Sequence, residues 1–456
     1  METSTPSQDE YRARTKRNVE NINCGTTRVP PNLPAELHKL IVDELKSEKK
    51  ALKQCALTCR LYRHFSQKLL FKKVVFKFSG SPNPTSHDAE FLDIIRASPH
   101  IVNYVQQLHL HENEPRGPHP IAKSSRARSI PPEIFQTLTN VVDLILGWKR
   151  RLHGFSRMHS PTRLAIMDKC EHLLNLTVRN MYAVPLKIFD HLHRLEKLTL
   201  DGVHFSDNPD AAQVAQATPC RIKHMNLGAA GVHKGTVTLF PFFVSKGIGM
   251  GTLETLTIDI TQGDRSGAFP ITDFQAAKSL IRSSAGSLKV LKVIISTSMP
   301  LTLPDAEPLF DLSEMPLLEE WSLEGKVCYN NGPGTGRAVG LGWLSRHLET
   351  IPSGRKFKSI TLRPNIIIED DKVDFESLKY FESLAVEKVS SHTESFLIHF
   401  PTYEDVDESD DEWGEVSEDE SDGNSIIQEQ IQKYLPILHG LNVLQFRQRW
   451  SREGLI

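Results

Sequence analysis

The sequence predicts an α/β chain: a small amino-terminal three-helix module, then an irregular solenoid of stacked units sharing a parallel sheet in a horseshoe-like arrangement. Three observations predict it. Helical periodicity with one apolar face is concentrated in residues 30–72. One short apolar pattern then returns along the rest of the chain. The chain, at 456 residues, 39% hydrophobic and 24% charged, has a globular composition but is too long for a single core. Lys and Arg total 54 against 56 Asp and Glu, a net charge of −2, which argues against bulk attraction to nucleic acid or to anionic lipid.

Residues 1–29 are polar and poor in large apolar side chains, and are expected to be a disordered tail. The module of residues 30–72 begins at LPAELHKLIVDEL, where Leu33, Leu37, Leu40, Ile41 and Leu45 recur at three and four. Pro34 suits the first turn of a helix, and Glu36 lies near the same positive end. Polar residues Lys46 to Lys50 are expected to break the chain before a second helix through Leu52, Cys55, Ala56, Cys59 and Leu61. A third helical segment, Tyr62 to Phe71, gives way to Val74, Val75 and Phe76, where the period shortens to that of a strand.

Residues 73–456 carry the recurrent pattern: apolar, two residues, apolar, one residue, apolar. It occurs at Val105–Leu108–Leu110, Leu173–Leu176–Val178, Leu195–Leu198–Leu200, Ile222–Met225–Leu227 and Leu253–Leu256–Ile258. It continues at Leu288–Leu291–Val293, Leu318–Trp321–Leu323, Phe357–Ile360–Leu362, Phe381–Leu384–Val386 and Leu441–Leu444–Phe446. The last two positions are two apart, so they share one face of a short strand, and the first turns the chain into it. No unit can bury its own face, so the units stack. The 68-residue gap after Val105 implies a degenerate copy around Leu152 and Phe155. Return helices are expected at Phe274–Arg282, at Trp343–Leu348 and around Pro161 to Met167, with a further helix-like stretch from Pro131 to Leu146. Between the anchors, Lys197, Glu254, Lys292 and Glu319 are candidates for outward-pointing positions.

Residues 404–425 interrupt the array. Glu404 to Asp422 holds twelve acidic residues in nineteen, and without them the net charge rises from −2 to +10. Such a tract cannot form a core and reads as a solvated insertion: either a solubilising loop, or a strap drawn to a mildly basic array. Ile426 to Gly440 then has helical spacing, and Leu441 to Phe446 is the expected last strand.

Six cysteines are too few and too scattered for a disulfide framework. The first residues lack the apolar core of a signal peptide, and no run of about 20 apolar residues occurs. A cytoplasmic or nuclear location, with no membrane partner, is the expectation. Arg12, Arg14, Lys16 and Arg17 form either a weak nuclear signal or an ordinary basic tail.

The sequence holds no phosphate-binding loop, GxSxG elbow or HExxH pair, and the glycine-rich stretch Gly332 to Gly340 reads as a loop. Cys55 and Cys59, with His38 and His64 nearby, fit small buried hydrophobes better than a four-ligand zinc site. Recognition motifs for nucleic acid are missing. The expectation is therefore no catalytic residue, no metal and no cofactor.

At LPAELHKLIVDEL and ALKQCALTCRLYRHFSQKLLFKKVVF the chain resembles the F-box family, in particular F-box-like proteins of filamentous fungi with degenerate leucine-rich repeats. The matching positions are Leu33, Pro34, Glu36, Leu37, Ile41 and Leu45, then Leu52, Leu57, Cys59, Arg60 and Leu61, with Phe65 and Leu70–Phe71 beyond. Thr58 and Tyr62 stand where the family usually has valine and tryptophan. The resemblance implies a substrate-recognition adaptor of an SCF-type cullin–RING ubiquitin ligase, not itself an enzyme. Its module would dock on a Skp-type linker protein, and through it on cullin and RING subunits. The partner-binding residues would be Leu33, Pro34, Glu36, Leu37, Ile41, Leu45, Leu52, Leu57, Cys59, Arg60 and Tyr62, while the repeats would hold a protein substrate. The same apolar residues also suit an intramolecular role, capping the first repeat. A protein-interaction scaffold whose module recruits no ligase is the alternative.

Overall fold

The computed structural model describes residues 33–79, 87–113, 131–148, 153–206, 220–228, 242–244, 247, 251–261, 271–297, 308–327, 339–364, 375–390, 393–401, 429, 432–433, 435–441 and 443–447. The tail of residues 1–29, the copy expected at Leu152 and the acidic insertion at 404–425 lie outside the described residues, as does most of the stretch from Ile426 to Tyr434. The chain divides into two compact units, Met1–Phe71 and Lys72–Ile456.

The first unit contains α1 (Ala35–Glu44), α2 (Lys49–Thr58) and α3 (Arg60–Leu70). Pro34 occupies the N-cap position of α1, and its carbonyl accepts from the N–H groups of Leu37 (3.0 Å) and His38 (3.3 Å). The second helix stops short of the expected Leu61. Cys59 is fully extended (φ −151°, ψ 169°), so Leu61 belongs to α3. Two side chains account for the break. The Thr58 hydroxyl donates back to the Cys55 carbonyl at 2.8 Å, competing with helix continuation, and the Arg63 Nε donates to the Ala56 carbonyl at 3.3 Å, satisfying a group the ended helix leaves open. The interior of this unit includes Val42, Leu52 and Ser66.

The second unit is an α/β solenoid of the leucine-rich-repeat kind. Its strands are β1 (Lys73–Ser79), β2 (Gln107–Asn113), β3 (Asp143–Trp148), β4 (His153–Gly154), β5 (Asn175–Val184), β6 (Lys197–Phe205), β7 (His224–Leu227), β8 (Thr255–Thr261), β9 (Val290–Thr297), β10 (Glu320–Val327), β11 (Phe357–Pro364), β12 (Thr393–Pro401) and β13 (Leu444–Arg447). They form one sheet in chain order, every pairing parallel, with β4 as a short side pairing on β5. Flanking helices are α4 (His87–Ala97), α5 (Pro132–Thr137), α6 (Ser160–Cys170), α7 (Ile271–Ser284), α8 (Val339–Glu349), α9 (Phe375–Ala385) and α10 (Pro436–Gly440).

The apolar triplet sets the register. Its second position aligns as Val74, Leu108, Leu144, Leu176, Leu198, Met225, Leu256, Leu291, Trp321, Ile360 and Phe396. Its third position aligns as Phe76, Leu110, Leu146, Val178, Leu200, Leu227, Ile258, Val293, Leu323, Leu362 and Ile398. Apart from half-buried Val74, these side chains are buried in one continuous core, each contributing roughly 1.5–3 kcal/mol of apolar burial. The first position, from Val105 and Leu173 through Phe357, is buried as well. Just after it, the backbone passes along a shared acceptor. The N–H groups of Glu196 and Lys197 both donate to the Leu174 carbonyl (2.8 and 3.0 Å), and Lys223 and His224 do the same to Glu196 (2.9 and 3.0 Å). This arrangement repeats from Lys72 to Lys358.

Within the repeats, three sequence expectations are corrected. Phe381, Leu384 and Val386 are not a strand copy: the first two lie in α9 and the third in the π-turn that follows. The triplet spacing of three then two overlaps a helix's three and four, and the buried Leu378, Phe381 and Ala385 follow the helical period. The actual repeat is β12, with Phe396 and Ile398 buried. Second, Pro131 to Leu146 is not one helix. α5 stops at Thr137, and Val141, Leu144 and Leu146 form a complete triplet opening β3. This copy fills the gap after Val105, whereas Phe155 is buried in a short 3-10 turn. Third, β13 is displaced by one pleat, because Leu444 pairs with Ile398, a third-position residue, where the spacing makes Leu444 a second-position one.

Buried and half-buried polar groups bridge neighbouring return segments. The Arg355 guanidinium donates to the carbonyls of Leu312 (2.7 Å), Leu318 (3.1 Å) and Met315 and stacks 4.9 Å from the Phe357 ring. The Lys169 ammonium donates to the Leu138 carbonyl. The Glu382 carboxylate accepts from the backbone N–H groups of Ile437 (2.8 Å) and Leu438 (3.1 Å), capping α10 from the preceding repeat.

Candidate protein-docking surfaces

In the helical unit, α1 splits its apolar residues between two faces. At about 100° per residue, Leu37, Leu40 and Ile41 fall within one arc, with Leu33 just ahead of the N-cap, while His38, Val42 and Leu45 lie on the other side. The second group is turned inward: Val42 is buried, His38 and Leu45 are half-buried, and the His38 ring meets Tyr62 edge-on at 5.1 Å. The first group is turned outward, with Leu33 48%, Leu37 42%, Leu40 58% and Ile41 45% exposed. Pro34, Glu36, Leu57, Cys59 and Arg60 are exposed too, and Leu57 is open at 75%. Of the other proposed contact residues, Leu45 and Tyr62 are half-buried and Leu52 is buried. Leu52 is 1% exposed and belongs to the interior of the unit, so it supports the face from behind rather than forming part of it. Leu40, absent from the partner set, is on the open arc, and its helical spacing is the signal that places it there.

The open face of the sheet is a second surface. Residues between the buried anchors align in rows, one running His109, Ile145, Thr177, Thr199, Asn226, Thr257, Lys292, Ser322, Thr361 and Leu397. Of the four candidate outward positions, Lys197 and Lys292 stand on this face, Lys197 exposed and Lys292 half-buried. Near its β1 end, burial first, then the charge of Lys73 and of His111, pulls the His109 imidazole down to about 4. Burial raises the Asp143 carboxyl against the opposing pull of Lys197 and Lys73. Towards the other end, Glu324 and Arg363 pair at 3.2 Å with little exposure of either side chain.

The other two candidates, Glu254 and Glu319, sit at the edge where strands begin. There the residue after each first anchor alternates in charge over Glu196, Lys223, Glu254, Lys289, Glu319 and Lys358. Neighbours close as Glu196–Lys223 (3.1 Å), Glu254–Lys289 (2.9 Å) and Glu319–Lys358 (2.5 Å). The hydrogen bond from Lys289, then its charge, holds the Glu254 carboxyl below the usual range, and the bond to Glu319 holds the Lys358 ammonium above its own.

Among the described residues no group of three or more His, Cys, Asp or Glu side chains is placed to hold a metal ion, and no helix is long and apolar enough to cross a membrane. Burial pushes the Cys170 thiol up to about 12 and the Cys220 thiol up to about 11, so neither is a ready nucleophile.

No protein-family model matches the chain, and no curated protein matches it in sequence. Two solved structures are similar to it in part. One is an internalin (InlF) of Listeria monocytogenes, at 12% identity and a TM-score of 0.29, covering 69% of this chain and 87% of that one. The other is the leucine-rich-repeat protein LIC12759 of Leptospira interrogans, at 12% identity and a TM-score of 0.26, covering 78% of this chain and 88% of that one. The repeat architecture of the present chain stands on its own strand register, with one apolar triplet carried in step from β2 to β11.

Proposed function

We propose that this chain is a non-catalytic protein-interaction scaffold, in which a helical module and a repeat sheet each take a polypeptide partner. The observation that carries this reading is the outward apolar arc of α1 together with Leu33 just ahead of it, four large aliphatic side chains left about half exposed. Covering such side chains stabilises a complex by on the order of 1 kcal/mol each, and clustered aliphatic side chains of this kind form the centres of protein interfaces.

A finer reading is the adaptor of an SCF-type cullin–RING ubiquitin ligase. In it the module docks on a Skp-type linker protein through Leu33, Pro34, Glu36, Leu37, Ile41, Leu57, Cys59 and Arg60, flanked by Leu45 and Tyr62, and the repeats hold a protein substrate. Its support is the residue-by-residue resemblance of the module together with the exposure of Leu33, Pro34, Leu37 and Ile41. A cytoplasmic or nuclear location follows from that assignment and belongs to the same proposal.

Co-purification of the full chain with a Skp-type linker tests it. The expected result is a stable complex that is lost in a Leu33→Ala/Leu37→Ala/Ile41→Ala variant whose circular dichroism is unchanged. No complex with the unaltered chain, or a complex indifferent to the triple change, removes the ligase reading.

A further inference from the structure

The edge where strands begin is built in two ways. From β6 to β11 the position after the first anchor carries the alternating charges described above, closed in pairs. From β2 to β5 the same position holds Gln106, Val142 and Leu174, all uncharged. In this stretch the edge opens into a shallow, solvent-open cavity of about 420 Å3. Its polar lining is Gln106, Thr139, Asn140, His172 and Arg194, with Val142 as apolar wall and no carboxylate on it. His172 and Arg194 each precede a first anchor, Leu173 and Leu195, by one residue, so the repeat register itself brings them to one place. Both are exposed, and among the described residues the Arg194 guanidinium makes no ion pair or hydrogen bond. The Asn140 amide donates to the Asn103 carbonyl at 3.2 Å, which fixes that side of the rim.

We propose that this cavity is a carboxylate-recognition site, taking an aspartate or glutamate side chain from an extended acidic segment of a partner polypeptide. One permanent guanidinium charge, joined by imidazole, amide and hydroxyl donors, matches a monoanion. A phosphate dianion would meet only that one guanidinium. The volume suits a side chain with its flanking peptide, and Val142 offers apolar contact for the methylenes of the acid. The inference concerns the repeats alone and stands whether or not the helical module docks.

The test is fluorescence anisotropy with the full chain and a labelled, C-terminally amidated peptide of alternating Gly, Glu and Asp. Its Gln/Asn counterpart and inorganic phosphate serve as comparisons. The acidic peptide is expected to bind and the amide counterpart to fail. Arg194→Gln should weaken binding by about tenfold, while Lys379→Gln, an exposed cation on α9, should leave it unchanged. His172→Gln, with a smaller expected loss, carries the test should Arg194→Gln disturb the circular dichroism. Binding that survives Arg194→Gln intact, or falls equally with Lys379→Gln, overturns the site. Binding only of a peptide with a free C-terminus, or displacement by phosphate at lower concentration than by peptide, overturns the side-chain carboxylate assignment.

Discussion

His347 is fully buried, and its two ring nitrogens are already committed. Nε2 accepts from the Leu309 backbone N–H at 3.0 Å, and Nδ1–H donates to the Trp343 carbonyl at 2.8 Å, with Phe310 and Trp343 against the ring. That pattern fixes one neutral tautomer, because the imidazolium cannot accept at Nε2. Burial pulls the group down from 6.5 to about 4. The unfolded chain therefore binds a proton that the folded chain refuses between those values, so stability is complete above about pH 6.5 and declines as the pH falls towards 4. Urea unfolding at pH 7.5 and pH 5 should differ by about 2 kcal/mol from this residue, and His347→Gln, weaker at both, should lose that part of the difference. Gly202 is a second single-residue constraint. It has φ +59°, and a Cβ there would lie 2.6 Å from Oδ1 of Asn180, itself at φ 50° just before the register shift of β5. Gly202→Ala is expected to cost about 1–3 kcal/mol, read as a lowered denaturation midpoint; an unchanged midpoint would contradict the close approach.

α1 is an amphipathic helix whose wider apolar arc looks out, and that inversion sets an element-level prediction. Val42→Ala and Leu52→Ala should each cost about 2–4 kcal/mol, whereas Leu37→Ala and Ile41→Ala should cost under about 1 kcal/mol, measured by chemical denaturation of the full chain. Equal costs would place the outward side chains in a core. The existence of α1 was legible from its period, but its orientation was not. The spacing of Leu33, Leu37 and Ile41 marks a stripe without saying what covers it, and the inward set, with Val42 its one fully buried member beside half-buried His38 and Leu45, is too mixed to register as a second stripe. The repeat strands were legible wherever the triplet was followed by a turn out of helical phase. The triplet is ambiguous where it shares offsets with a helix: the helix-like stretch Pro131 to Leu146 holds the strand triplet Val141, Leu144 and Leu146, and Phe381 and Leu384 have strand-triplet spacing inside α9. The alternating charges were half legible. Glu254 and Glu319 stand out in sequence, but their partners Lys289 and Lys358 are 35 and 39 residues away and become neighbours only through the sheet register. The cavity edge was not legible at all, since Gln106, Asn140, His172 and Arg194 come from four separate repeats.

Across the second unit, each described strand pairs only with its sequence neighbours, apart from β3, which passes over the short β4 to pair with β5, so stability is local and passed between adjacent repeats. Leu291→Ala, in the middle of the sheet, should therefore lower hydrogen-exchange protection in β8 to β10 and leave β2 and β3 near their original values. A uniform loss along the sheet would instead mean that the unit unfolds as one body. The distances between first anchors make a separate point. Leu195 to Ile222 is 27 residues, Leu253 to Leu288 is 35 and Leu318 to Phe357 is 39, yet the strands that follow stay aligned residue for residue. Length is thus decoupled from alignment across these repeats: the number of residues between one strand and the next varies while the paired positions from β6 to β11 stay in step. Such a molecule can drift in size segment by segment, or accept a foreign stretch spliced into a return path, while the surface it shows to others keeps its pattern.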